Sequence, residues 1–229
     1  LGAAMVFRSY DRPFLAAVAL AACLFHIFNH AVFKSLLFLS AGAVVHATET
    51  RNMERMGGLI RRMPLTALCF LVGAISISGL PPLNGFVSEW LSYQALLGGF
   101  GSTLSLTRIV FPIAGSLLAL TGALAAACFV RAFGVGFLAL PRSSQATHAH
   151  EAHPSMLAGM GALAALCIAL GVGATLWIPV LNPLVVQLVN TSVSGNLVLA
   201  GGIALSSGSP NGGTVAPAAL AGLLVLLTL

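Results

Sequence analysis

Residues 63–99 read MPLTALCFLVGAISISGLPPLNGFVSEWLSYQALLGG, and this stretch decides the fold. It is apolar on both sides of a centre through which no regular helix can run. Proline lacks the amide hydrogen, and its ring collides with the carbonyl four residues back. Pro81 and Pro82 therefore strip partners from the carbonyls of Ile77 and Ser78, while Gly79 and Gly85 bracket them with turn-forming residues. Flanks this apolar place the interruption at membrane depth. Non-helical backbone survives there only where it is buried in protein or lines a wet cavity. The stretch predicts either two membrane spans or one broken span, and in both cases Gly79, Pro81, Pro82 and Gly85 mark a candidate binding or gating point.

The composition of the remainder agrees. Of 229 residues, 58% are hydrophobic and only 7% are charged, whereas about a quarter of a soluble domain is charged. Several apolar runs reach the roughly 20 residues that a helix needs to cross hydrocarbon, and they lack the apolar/polar alternation of a barrel strand. The expected class is all-α, a polytopic transmembrane helix bundle with a discontinuous helix at 63–99. Spans are expected at about 14–47, 63–99, 109–140 and 155–181, all within a transmembrane domain at 1–182. A weakly amphipathic linker follows at 183–214 and contains SSGSPNGG. The final apolar run, 215–229, is shorter than a full span, and residue 1 is leucine with no signal-like segment after it. A fragment of a longer chain is expected.

Residues 48–62, TETRNMERMGGLIRR, hold four arginines against two glutamates and read as a cytoplasmic loop. The net charge of +5 comes from such short connections and forms no basic stripe, so nucleic acid is not an expected partner. Cys23, Cys69, Cys128 and Cys167 each lie inside an apolar run, without cluster or zinc spacing. No cofactor or metal is expected in this chain. His148, His150 and His153, with Glu151, occupy a Ser/Gln/Ala-rich connection and read as a solvated turn.

The costly residues are elsewhere. In CLFHIFNHAVFKSLLFL, residues 23–39, His26, His30 and Lys34 recur every fourth position. Four residues of helix advance 400° and about 6 Å, so the three side chains form a ladder within an arc of about 80°. That step exceeds hydrogen-bond reach, and a proton passing along it needs intervening water. Histidine accepts at one ring nitrogen while donating from the other, and lysine in a poorly hydrated site releases its proton more readily. A structural reading would have the histidines bonding to neighbouring helices and Lys34 reaching for the headgroups. Leu36, Leu37, Phe38 and Leu39 obstruct that reach, and three ionisable groups on one apolar helix are expensive to keep. Glu89, four residues past the break, is the only acid between Glu54 and Glu151. It reads as a fourth proton carrier, with a headgroup-level cap of the second half-helix as the alternative.

FHIFNHAVFKSLLFLSAG at 25–42, MGGLIRRMP at 56–64 and GLPPLNGFVSEWLSYQALL at 79–97 together resemble the proton-conducting antiporter-like membrane subunits. That superfamily includes the antiporter-like subunits of respiratory complex I and the Mrp-type cation/proton antiporters. The resemblance is specific over residues 14–100 and general beyond them. It implies a fold of inverted repeats, each with one broken helix, and favours a single broken span at 63–99. It also implies that His26, His30 and Lys34 lie on the central hydrophilic axis and that Glu89 faces the exit half-channel. The upstream glutamate–lysine pair of the family has no counterpart in this chain, so the entrance to the route is expected elsewhere.

The expected function is proton translocation within a complex I-like membrane hydrogenase or NADH dehydrogenase assembly of a bacterial or archaeal plasma membrane. Partners would be other membrane subunits, peripheral redox subunits, the lipid bilayer and protons, with Na+ possible as the coupled ion. A Na+/H+ antiporter subunit uses the same residues without redox partners, and a non-conducting scaffold or gene remnant is the third reading.

Overall fold

The computed structural model describes residues 1–99, 105–193, 197, 205–206 and 214–228. The described residues are mostly helical. Helix α1 (Gly2–Ser9) leads into α2 (Pro13–Thr48), and a loop with two 3-10 turns follows. The interrupted element comes next as α3 (Pro64–Ile77) and α4 (Asn84–Gly98). Helix α5 (Ser105–Phe137), the single turn α6 (Ser144–His148) and α7 (Pro154–Val172) continue the chain, and α8 (Ala174–Trp177) and α9 (Asn182–Val189) follow. A two-residue antiparallel pair, β1 (Leu205–Ser206) with β2 (Thr214–Val215), precedes α10 (Pro217–Thr228). The polar stretch at 207–213 lies outside the described residues.

Among the described residues, three helices are long and apolar enough to cross a membrane: α2, α5 over Thr107–Phe137, and α7. Helices α3 and α4, of 14 and 15 residues, rise about 21 and 22 Å, and neither alone spans the roughly 30 Å of hydrocarbon. The apolar element at 63–99 is thus discontinuous, interrupted between Ile77 and Asn84. Along α5 the apolar side chains Ile113, Leu117, Leu120, Leu124 and Val130 are exposed, a surface that hydrocarbon or protein has to cover.

Two expected spans end earlier than their apolar runs. Helix α5 stops at Phe137, short of 140, because Ala139 adopts a positive φ of 64° and Pro141 follows. The run 155–181 is not one helix. It leaves the α conformation after Val172, where Gly171 and Gly173 weaken the helix and Pro179 and Pro183 prevent an uninterrupted restart. The result is α8, a 3-10 turn at Ile178–Leu181 and α9.

The chain divides into two compact units, with α2, α5 and α7 contributing to both. The first comprises Leu1–Asn29, Gly79–Thr121 and Ile168–Leu229. Its core includes the run Ala16–Ala22, Val87 and Leu91, and Phe7 of α1 packs on Phe111 of α5 with ring centroids 4.7 Å apart. Gly171 of α7 abuts the backbone of Pro82, Leu83 and Asn84, and a Cβ there would lie 2.7 Å from the Asn84 nitrogen. Only glycine permits this approach.

The second unit comprises His30–Ser78 and Gly122–Cys167. Phe70 of α3 contacts Phe129, Phe133 and Phe137 of α5 at centroid distances of 6.3, 6.4 and 5.2 Å, spacings typical of aromatic packing. The connection at 141–153 is not simply a solvated turn. Glu151 accepts from Leu65 N at 2.8 Å, Thr66 Oγ1 at 2.6 Å and its neighbour Ala152 N at 3.0 Å. Helix α3 begins with proline and has no side-chain cap of its own. A carboxylate at its first turn satisfies otherwise unpaired donors and complements the helix dipole. The nearby histidines bond separately: His148 to Ser144 O, His150 to Glu151 O and His153 to Ser155 Oγ.

Glu151→Ala should therefore cost about 1–2 kcal/mol of stability, and Glu151→Gln, which keeps one acceptor oxygen, should cost less. Thiol labelling of Cys69, which is buried on α3, during thermal unfolding would read this out. Equal labelling midpoints in wild type and Glu151→Ala would show that the cap is dispensable.

Candidate proton-pathway residues at the helix break

Helix α2 is continuous across the ladder, so His26, His30 and Lys34 have the spacing the sequence requires. His26 and Lys34 are half-buried, and His30 is exposed. His26 belongs to the first unit, His30 and Lys34 to the second. The His30 ring meets Phe33 edge-on, with centroids 5.3 Å apart and planes at 73°.

In the first unit α2 meets the break through two polar contacts. Asn29 Nδ2 donates to the Asn84 carbonyl at 2.9 Å, and Asn84 Nδ2 donates back to Asn29 Oδ1 at 3.3 Å. Both asparagines are fully buried. The first residue of the half-helix is thereby pinned to α2 three positions along from His26. Asn84 Oδ1 is buried and, among the described residues, has no hydrogen-bond partner.

The second contact is between His26 Nδ1 and Ser88 Oγ, 3.0 Å apart. Ser88 has one hydroxyl hydrogen, and the Gly85 carbonyl lies 3.0 Å from Oγ. If that hydrogen goes to Gly85, Ser88 is left to accept from His26. A neutral His26 then carries its proton on Nδ1 and presents Nε2 as an acceptor. A cavity of about 290 Å³ adjoins His26, with Cys23, Ser92 and Ala95 also on its wall. At about 30 Å³ per liquid water it has room for several molecules beside the ring.

Glu89 follows Ser88. Its carboxyl group rests on Gly79, the residue at which the chain leaves α3 with φ +62°. A Cβ at Gly79 would fall 2.7 Å from Glu89 Cδ. Gly79 thus reverses the chain in a left-handed conformation and leaves the space the carboxyl group occupies. The peptide between Pro81 and Pro82 is cis.

Sequence reading singled out His26 and Glu89 as candidates and missed the contact of His26 with Ser88 and the pairing of Asn29 with Asn84. A signal was present in Asn29. A carboxamide buried in an apolar span is nearly as demanding of partners as a histidine, and NG at 84–85 supplied one.

Residues 14–114 match the family described as NADH:quinone oxidoreductase/Mrp antiporter, TM, a range that contains the ladder, the break and Glu89. Residues 14–114 thus form a domain of this family of antiporter-like membrane subunits, and the chain is a multi-pass membrane protein. Over 209 residues it is 42% identical to hydrogenase-4 component B of Escherichia coli (strain K12), covering 91% of this chain and 31% of the relative. Formate hydrogenlyase subunit 3 of the same organism is 38% identical over 201 residues, covering 86% of this chain and 33% of the relative. Among solved structures, the membrane-bound sulfane sulfur reductase, an archaeal respiratory membrane complex, contains a chain that superposes with a TM-score of 0.72 at 26% identity. That match covers 93% of this chain and 31% of the other. The chain spans about a third of the length of the curated relatives it matches.

Gly79→Ala should displace the Glu89 carboxyl group, with about 1–2 kcal/mol of backbone strain added at a left-handed position. The Glu89 carboxyl band, assigned by infrared difference against Glu89→Gln, should shift in Gly79→Ala. An unshifted band would mean that the carboxyl group does not use the space at Gly79.

Proposed function

We propose that this chain forms part of a proton-translocating membrane subunit of a complex I-like assembly, either a membrane-bound hydrogenase or an NADH:quinone oxidoreductase. One observation carries the reading. His26, at the start of the ladder, is hydrogen-bonded to Ser88, the residue before Glu89 and close to the helix break. The contact joins the helix that carries the ladder to the helix that carries Glu89, between residues 62 apart in sequence.

In this reading Lys34 holds a proton on α2 and exchanges it with His30 and His26 through water, since each step of the ladder is about 6 Å. Proton arrival at Nε2 of His26 favours release from Nδ1 toward Ser88 and the space beside it. Glu89 then takes the proton onward at the break. The chain supplies acids, bases and their placement. Electron transfer, with its cofactors, belongs to peripheral subunits. The names of the relatives support this division, and their bacterial and archaeal sources support a plasma-membrane location.

Lys34→Met and Glu89→Gln, each introduced into the intact protein in its assembly, should abolish proton uptake while leaving electron transfer to an artificial acceptor at least half its normal rate. Pumping retained in both variants would overturn the reading. The Mrp half of the family description favours a second possibility, a cation/proton antiporter subunit without redox partners. Purification separates the two, because iron with nickel or flavin in stoichiometric amount accompanies only the redox assembly.

A further inference from the structure

A second cavity, of about 190 Å³, lies wholly within the second unit, at the ends of α2, α3 and α5 that face the arginine-rich loop. Val44 of α2, Phe70 of α3, and Ala132, Gly136 and Phe137 of α5 form its apolar walls, and Arg51 stands among its lining residues. Arg142 holds the loop that closes it. Its Nε donates to Met56 O at 2.7 Å, and its Nη2 donates to Met53 O at 3.4 Å and to Val135 O. Ser143 Oγ adds a bond to Arg55 O at 2.7 Å. Met53 and Met56 also line the cavity, so the loop is tied down on the side where the cavity lies.

We propose that this cavity binds an anionic phospholipid, with one acyl chain in the slot and the headgroup phosphate on Arg51. The apolar walls suit hydrocarbon, and a slot of this size is narrow for a helix about 10 Å across. The charge identifies the headgroup. Residues 48–62 carry four arginines against two glutamates. Among the described residues, none of the guanidinium groups of Arg51, Arg55, Arg61 and Arg62 has an ion-pair or hydrogen-bond partner. Basic pockets between transmembrane helices on the cytoplasmic side attract anionic lipid headgroups, and guanidinium matches phosphate in a bidentate geometry. A neutral isoprenoid quinone would fit the walls but gain little from Arg51. This inference does not depend on the proton-pathway reading.

Two substitutions separate slot from headgroup. Gly136 has open space where a Cβ would stand, so Gly136→Leu fills the slot and replaces a helix-interior glycine with a better helix former. Arg51→Gln removes the charge and leaves the walls intact. The intact protein in its assembly, delipidated in detergent, is titrated with phosphatidylglycerol or phosphatidylcholine and read by native mass spectrometry. Wild type should retain one phosphatidylglycerol in clear preference to phosphatidylcholine. Arg51→Gln should weaken that retention about fivefold, and Gly136→Leu should abolish it. Equal retention of the two lipids by wild type, or unchanged retention in Gly136→Leu, would overturn the proposal. So would displacement of the lipid by a neutral quinone to the same extent in wild type and Arg51→Gln.

Discussion

In hydrocarbon, a backbone amide or carbonyl without a partner costs several kcal/mol, and the structure around residues 78–84 answers to that constraint. Helix α3 closes with Ser78, whose amide and hydroxyl both donate to the Ala74 carbonyl, at 3.2 and 2.7 Å. Gly79 then turns the chain. The Asn84 carbonyl is taken by Asn29, and the Gly85 carbonyl by Ser88. Gly171 brings α7 flush against the intervening backbone. The polar side chains on α2 and α4 can therefore be understood first as what a broken helix requires to exist in a membrane. The proposed proton route would draw on groups already needed there, since His26 completes the hydrogen bonding of Ser88.

The ends of the membrane elements follow the same rule with different chemistry. At the loop-side start of α3 the partner is an anion, Glu151, arriving from beyond α6. At the end of α5 it is a cation, Arg142, which gathers carbonyls from α5 and from the loop after α2. Each charge complements the helix terminus it meets. The loops are thus tied to the helices by charged side chains directed at backbone, and no ion pair is needed for the purpose.

Much of this was legible in the sequence because the decisive signals are local. Pro81 and Pro82 in an apolar run require a break, and His26, His30 and Lys34 at intervals of four require one helix face. What sequence alone could not supply is pairing at a distance. Nothing in His26 specifies Ser88, nothing in Asn29 specifies Asn84, and Glu151 among histidines looks like one more solvated group. The ends of the long apolar runs were also misjudged. Hydropathy continues through residues 173–181 although glycine and proline end the helix, and hydropathy records partition, not backbone geometry. The resemblance to antiporter-like subunits added residue roles that no periodicity contains.

The capping of α3 by Glu151 has a consequence for how the protein is made. The donor and acceptor are 86 residues apart, and at ordinary translation rates the acceptor is synthesised on the order of ten seconds after the donor. During that interval the first turn of α3 must satisfy its amides with water or lipid headgroups, so this half of the broken helix cannot settle at its final depth when it first reaches the membrane. It becomes seated only once α5 has been inserted and the chain has returned. Capping of the first half of the interrupted helix therefore waits on a residue made 86 positions later.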